Sequence, residues 1–130
     1  MADEPAPGDL LAFLHGETDA RTFRHVDHVR MAFEVLIRHP DFLAAATAYS
    51  RALKTMAARA GNAGAYHETI TLAFLSLIAE RLAVAACDDF EAFAAANADL
   101  LDKGALTRWY KPDRLATALA RRTFVLPGGP

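Results

Sequence analysis

The chain is expected to be all-α: a compact helical bundle of three main antiparallel helices followed by shorter C-terminal helices. Three observations predict it. Alanine, the best helix former, occurs 29 times in 130 residues, while strand-favouring Ile and Val together occur 8 times. Apolar residues recur every three or four positions through long stretches punctuated by Gly and Pro. No Asn-Gly or Asp-Gly pair separates alternating runs, so the hairpin signal is missing.

The elements follow in order. Residues 1–8 hold two prolines and a glycine and read as a loose arm. Residues 9–15 form a short helix closed by Gly16. Thr18, Asp19 and Thr22 offer N-caps for a helix reaching Arg38. His39-Pro40-Asp41 ends it, because proline cannot continue a helix and restricts the residue before it. Asp41 opens a helix to Ala60, stopped by Gly61, with Phe42, Ala46, Tyr49, Leu53, Met56 and Ala60 on one stripe. Asn62-Ala63-Gly64 turns the chain into a third long helix over 65–86. Its middle, residues 72–79, is apolar nearly all round and predicts the most buried helix. Asp88 and Glu91 read as a capping box opening a helix through Asn97. Gly104 breaks the next stretch. A last helix spans 113–123, and 127–130 is a tail. Residues 9–126 thus read as one helical domain.

Composition excludes several classes. A net charge of −2 lacks the basic surplus of a nucleic-acid binder. One cysteine excludes a disulfide framework and a multi-cysteine zinc site. No apolar run reaches the roughly 18 residues of a membrane span. The acidic N-terminus carries no signal-peptide charge block. These features point to a soluble cytoplasmic protein. The alanine excess, with Arg outnumbering Lys 11 to 3, fits a GC-rich bacterial source.

Five histidines occur, and three of them point to chemistry. At about 100° per residue, Val26, Val29, Ala32, Phe33 and Leu36 define an inward face centred near Val29. On that wheel His25 lies about 40° from the centre and His28 about 100°, one turn apart. In the third long helix, Thr69, Ser76 and Glu80 mark the outward side. His67 falls opposite them, in line with Phe74 and Ile78. Glu68 falls among Leu72, Leu75 and Ala79, where a carboxylate needs a partner. Two tight turns make the first and third long helices start at the same end of the bundle. His25, His28, His67 and Glu68 should therefore meet there.

Three imidazoles on fixed helices suit a divalent metal such as zinc, iron or manganese, with His25, His28 and His67 as ligands. Glu68 would be a fourth ligand, an imidazole partner or a general base beside a bound water. Tyr66 and Thr71 flank the place with hydroxyls for ligand binding. Helix N-termini there favour a small anionic ligand. Against this stands a plain structural reading, in which buried histidines are hydrogen-bonded core residues. His15 and His39 read as surface residues near helix ends. Cys87 reads as a small filler before the capping box. Arg108, Lys111, Arg114, Arg121 and Arg122 read as a solvated basic face.

Three stretches together carry a resemblance: residues 23–32 (FRHVDHVRMA), 66–71 (YHETIT) and 120–127 (ARRTFVLP). The set resembles a group of small bacterial all-helical proteins without an assigned function, with the likeness covering residues 21–127. The resemblance implies that His25, His28 and Tyr66–Thr69 belong to one motif set, and it implies nothing about metal. A looser similarity is to DinB-like four-helix proteins, which hold a metal with three histidines. The H-x-x-H spacing and the short chain depart from that pattern.

Two main functions stay open on the residues alone, beside a weaker third reading, a redox or thiol role for Cys87. One is a His-rich polar site at one bundle end that binds a divalent metal or a small, anionic ligand, with or without hydrolytic or proton-transfer chemistry through Glu68. The other is a non-catalytic interaction module whose His/Glu cluster is a buried polar network. Its partner would be another chain or a second copy of this one.

Overall fold

A computed structural model describes residues 7–128 of the chain. Among them are seven α-helices, several short 3-10 turns and no strand. Helix α1 spans Pro7–Leu14, α2 His25–Arg38, α3 Phe42–Arg59 and α4 Glu68–Val84. The shorter α5 (Phe90–Ala96), α6 (Pro112–Leu115) and α7 (Ala118–Arg122) follow. The expected all-α class is what the chain adopts.

The long helices begin and end where their capping chemistry dictates. The Asp41 carboxylate accepts the Ala44 N–H at 3.0 Å and starts α3, which ends before Gly61 at φ 74°. His39 closes α2: its backbone N–H and its Nδ1 both donate to the Val35 carbonyl, the latter at 2.9 Å.

Several boundaries differ from expectation. Helix α1 starts at Pro7 rather than residue 9, because proline suits the first helical position; residues 1–6 of the expected arm lie outside the described residues. Asp19 caps a separate 3-10 turn over Ala20–Thr22 by accepting the Arg21 N–H at 2.9 Å, so α2 begins only at His25. Asp89, one residue after the expected cap, accepts the Ala92 N–H at 2.8 Å and starts α5. The single C-terminal helix expected over 113–123 is two. Thr117 Oγ1 accepts the Ala120 N–H at 3.0 Å and starts α7 afresh. Of the expected tail, residues 129–130 also lie outside the described residues.

Helices α2, α3 and α4 pack on one another. Val29, Phe33, Ala45, Leu53, Leu75 and Ile78 are buried between them. Phe13 of α1 covers one side against Phe23 and Tyr49, with ring centroids 5.6 and 5.7 Å away. Phe90 and Phe93 of α5 cover another against Phe33. The opposite side of α4, through Ala73 and Phe74, is covered by Leu106, Tyr110, Ala120 and Val125 from the C-terminal region. Helix α4 is thus sandwiched, which is why its sequence is apolar nearly all round. An ion cluster fastens the chain after α5 to the end of α4: Arg81 Nη2 lies 2.8 Å from Asp99 Oδ2, and Arg108 lies 3.2 Å from the same oxygen. These two guanidiniums hold the Asp99 carboxyl below its usual range, the Arg81 hydrogen bond contributing most.

Candidate functional site

A pocket of about 550 Å³ opens at one end of the bundle. The first turns of α2 and α4 and the last turns of α3 line it, so α2 and α4 start at that end and α3 finishes there. Five of the residues singled out from the sequence share its wall: His25, His28, Tyr66, His67 and Thr71. Between them the wall is apolar, with Phe23, Val29, Leu53, Met56, Ile70 and Phe74.

Shared lining is not shared chemistry, and the three imidazoles differ. His67 is buried and sits just before α4, not within it. Its Nδ1 accepts the Ile70 N–H at 3.1 Å, and its Nε2 donates to the Leu115 carbonyl at 2.8 Å. Both ring nitrogens are spent. The side chain caps a helix and pins the C-terminal region to it, and it leaves no lone pair for a metal. In the structure His67 serves as a cap and a tether. The sequence reading ran α4 from residue 65, whereas the helix starts at Glu68 and turns the imidazole back on its own N–H groups.

His25 donates from Nε2 to the Leu100 carbonyl at 3.0 Å and stacks edge-on to Phe74, centroids 5.0 Å apart. Its Nδ1 has no hydrogen-bond partner among the described residues. His28 is held by the Phe23 ring, 4.6 Å away and tilted at 63°, and neither of its ring nitrogens has a hydrogen-bond partner among those residues. Burial, helped by neighbouring His25 and opposed by Asp27, lowers the His28 pKa to about 4. At neutral pH His28 is an uncharged imidazole, able to donate one hydrogen bond and accept one. No group of three or more His, Cys, Asp or Glu is placed to hold a metal ion among the described residues.

Glu68 does not line the pocket. It has the partner its position demanded, since the Tyr66 hydroxyl donates to Oε1 at 2.7 Å. Lys54 Nζ stands 4.0 Å from the same oxygen and 5.2 Å from the centre of the Tyr66 ring. Thr71 and Ser50 add hydroxyls beside that of Tyr66. Burial, then the Glu68 hydrogen bond, push the Tyr66 phenol well above its usual range. Tyr66 is therefore an anchored neutral wall. Glu68 reaches the pocket only through it, which does not place the carboxylate as a base inside.

The sequence reading missed several lining residues. Tyr49 is buried and donates to the His28 carbonyl at 3.0 Å, tying α3 to α2 beneath the pocket. Lys103 and Arg121 reach the wall from the C-terminal region. Arg121 Nη1 donates to the Gly64 carbonyl at 2.8 Å and lies near those of Ala65 and Tyr66. Lys103 has no ion pair or hydrogen bond among the described residues. No local pattern around Lys103 ties it to the histidines, and Arg121, named in the basic face and the 120–127 stretch, is brought to the pocket wall only by tertiary contact. Trp109 and Tyr110 lie outside the pocket: Tyr110 is core, donating to the Val125 carbonyl at 2.8 Å, and Arg108 stacks on an exposed Trp109.

Compared with protein-family models, with curated proteins and with solved structures, the chain matches none.

Proposed function

We propose that this protein binds a small organic molecule in the pocket where α2 and α4 begin. One observation carries the reading: a cavity of about 550 Å³ whose wall includes His28, an imidazole with no hydrogen-bond partner among the described residues. Small-molecule sites occupy roughly 300–1,000 Å³, with apolar walls and a few polar groups that orient the ligand. Here the apolar side chains supply the walls. His28, and Nδ1 of His25 beside it, supply the hydrogen bonds. His67 and the Tyr66–Glu68 pair shape the site while bonded to the protein itself. An organic ligand fits this division of labour better than a three-histidine metal centre, because the third imidazole is committed elsewhere.

The test is titration with the neutral fluorophore N-phenyl-1-naphthylamine, with Ala57→Trp as the blocked variant. Ala57 lines the pocket, and an indole there would occupy it. Saturable binding of one probe per wild-type chain, weakened about tenfold or more in a folded Ala57→Trp protein, supports the reading. Unsaturable binding, or equal binding in the two folded proteins, overturns it.

A further inference from the structure

The charge around the pocket narrows the ligand. Two cations, Lys103 and Arg121, belong to its wall, and among the described residues no Asp or Glu does. The two have different freedom. Arg121 Nη1 is turned to the backbone carbonyls of residues 64–66, but its Nη2 and Nε have no hydrogen-bond partner among the described residues. The Lys103 ammonium has none either. The Glu68 carboxylate beside the site is held by Tyr66 and Lys54 and does not line the cavity. Three further acidic side chains in the chain's C-terminal half are engaged elsewhere: Asp99 with Arg81 and Arg108, Asp89 with the start of α5, and Asp102 with the Gly104 N–H. Among the described residues the pocket therefore joins an apolar interior to cations that lack a counter-ion on the wall.

We propose that the ligand is an amphipathic carboxylate, with an apolar body seated against Phe23, Leu53, Met56 and Phe74 and its anionic end directed to Lys103 and Arg121. Resting on the pocket being a ligand site, the inference adds the chemical class. Three physical terms favour it. Burying the body removes apolar surface from water. The anion meets donors with a full positive charge, whose hydrogen bonds are roughly twice as strong as neutral ones. A cation, by contrast, would meet two like charges.

The experiment displaces N-phenyl-1-naphthylamine from the full chain with decanoate, 1-decanol and decylamine, which share one alkyl body. Hydrophobicity alone ranks the alcohol above the carboxylate, because an ionised group resists leaving water. The inference requires the reverse order. Decanoate should displace the probe at a concentration about five- to tenfold lower than decanol, the scale of one or two solvent-accessible ion pairs. Decylamine should be weakest. Raising the salt concentration, or the exposed substitution Lys103→Gln, should erase most of the decanoate advantage while leaving decanol displacement unchanged. If the probe binds in the pocket but decanol matches or beats decanoate, the carboxylate inference falls and the pocket reading stands. It falls equally if the decanoate advantage survives both Lys103→Gln and Arg121→Gln in folded proteins. If the probe does not bind in the pocket at all, the pocket reading itself fails.

Discussion

The hydroxyl of Thr69 donates to the carbonyl of Thr123 at 2.7 Å, joining the first turn of α4 to the chain just after α7. The same oxygen accepts the Val125 N–H at 3.0 Å, and the side chain is wholly buried. One hydroxyl thus satisfies two backbone groups of a C-terminal strap that has no regular structure of its own. Thr69→Val keeps the shape and orphans both groups. Each buried unsatisfied group costs about 1–3 kcal/mol, so the variant should lose ~2–4 kcal/mol in urea denaturation. Thr69→Ser, which keeps the hydroxyl, should recover most of it. A Thr69→Val protein as stable as wild type would show that the strap is not held this way.

His67→Ala should destabilise the fold, because it removes the α4 cap and the bond to the Leu115 carbonyl together. Loss of a cap costs about 1 kcal/mol and of a buried hydrogen bond a similar amount, so ~2 kcal/mol is expected. Under a pure ligand-site role the fold would be indifferent and only binding would change. Denaturation midpoints and probe affinity, measured side by side on the same variant, separate the two.

The helices were legible in the sequence because their signals are local. Asp41, His39 and Gly61 act on backbone groups within one turn, and the apolar stripe of α3 needs no knowledge of the rest of the chain. Thr69 shows where that logic stops. On the α4 wheel it groups with Ser76 and Glu80 as an outward face, yet it is fully buried. The C-terminal strap covers that face, and no periodicity within α4 can reveal a strap arriving from residue 123. The site divides the same way. Connectivity and helix phase brought His25, His28, Tyr66, His67 and Thr71 to one pocket. The start of α4 at Glu68, three residues later than expected, puts His67 at the cap position. Lys103 was invisible, and Arg121 was legible only as one of a basic face and of the 120–127 stretch, because only tertiary contact carries them to the pocket wall.

Gly16 ends α1 at φ 71°, and a methyl group added there would run into the Cγ2 methyl of Thr55 on α3. Two costs combine in Gly16→Ala. The left-handed backbone disfavours any side chain by about 1–2 kcal/mol, and overpacking against Thr55 adds ~1–3 kcal/mol. Thr55→Ser removes the clashing methyl but keeps the Thr55 Cβ, which would itself lie 2.7 Å from the added methyl, so it relieves only part of the overpacking and none of the backbone term. The double variant should therefore regain a minor part of the loss, by an amount a double-mutant cycle measures directly. No coupling between the two positions would mean that α1 does not seat against α3 at Thr55.

His28 links the pocket to pH. Its folded pKa of about 4 lies below the ordinary histidine value of 6.5, chiefly through burial. Between those two values the unfolded chain binds the proton and the folded chain does not, so stability falls as pH falls. The contribution is fully present above about pH 6.5 and declines until the pH reaches about 4, where the folded form also protonates. From pH 7 to 4.5 the loss should be ~2–3 kcal/mol, read as a drop in denaturation midpoint. Carboxylates titrate near the lower end of that window, so the decisive comparison is with His28→Gln, which should lose markedly less over the same range. An independent check is the NMR titration of the His28 ring in the folded protein, with an expected midpoint close to 4. A midpoint between 6 and 7 would mean the imidazole is solvated and ionisable at neutral pH, and His28 would then stand in the pocket as a third cation rather than as a neutral donor and acceptor.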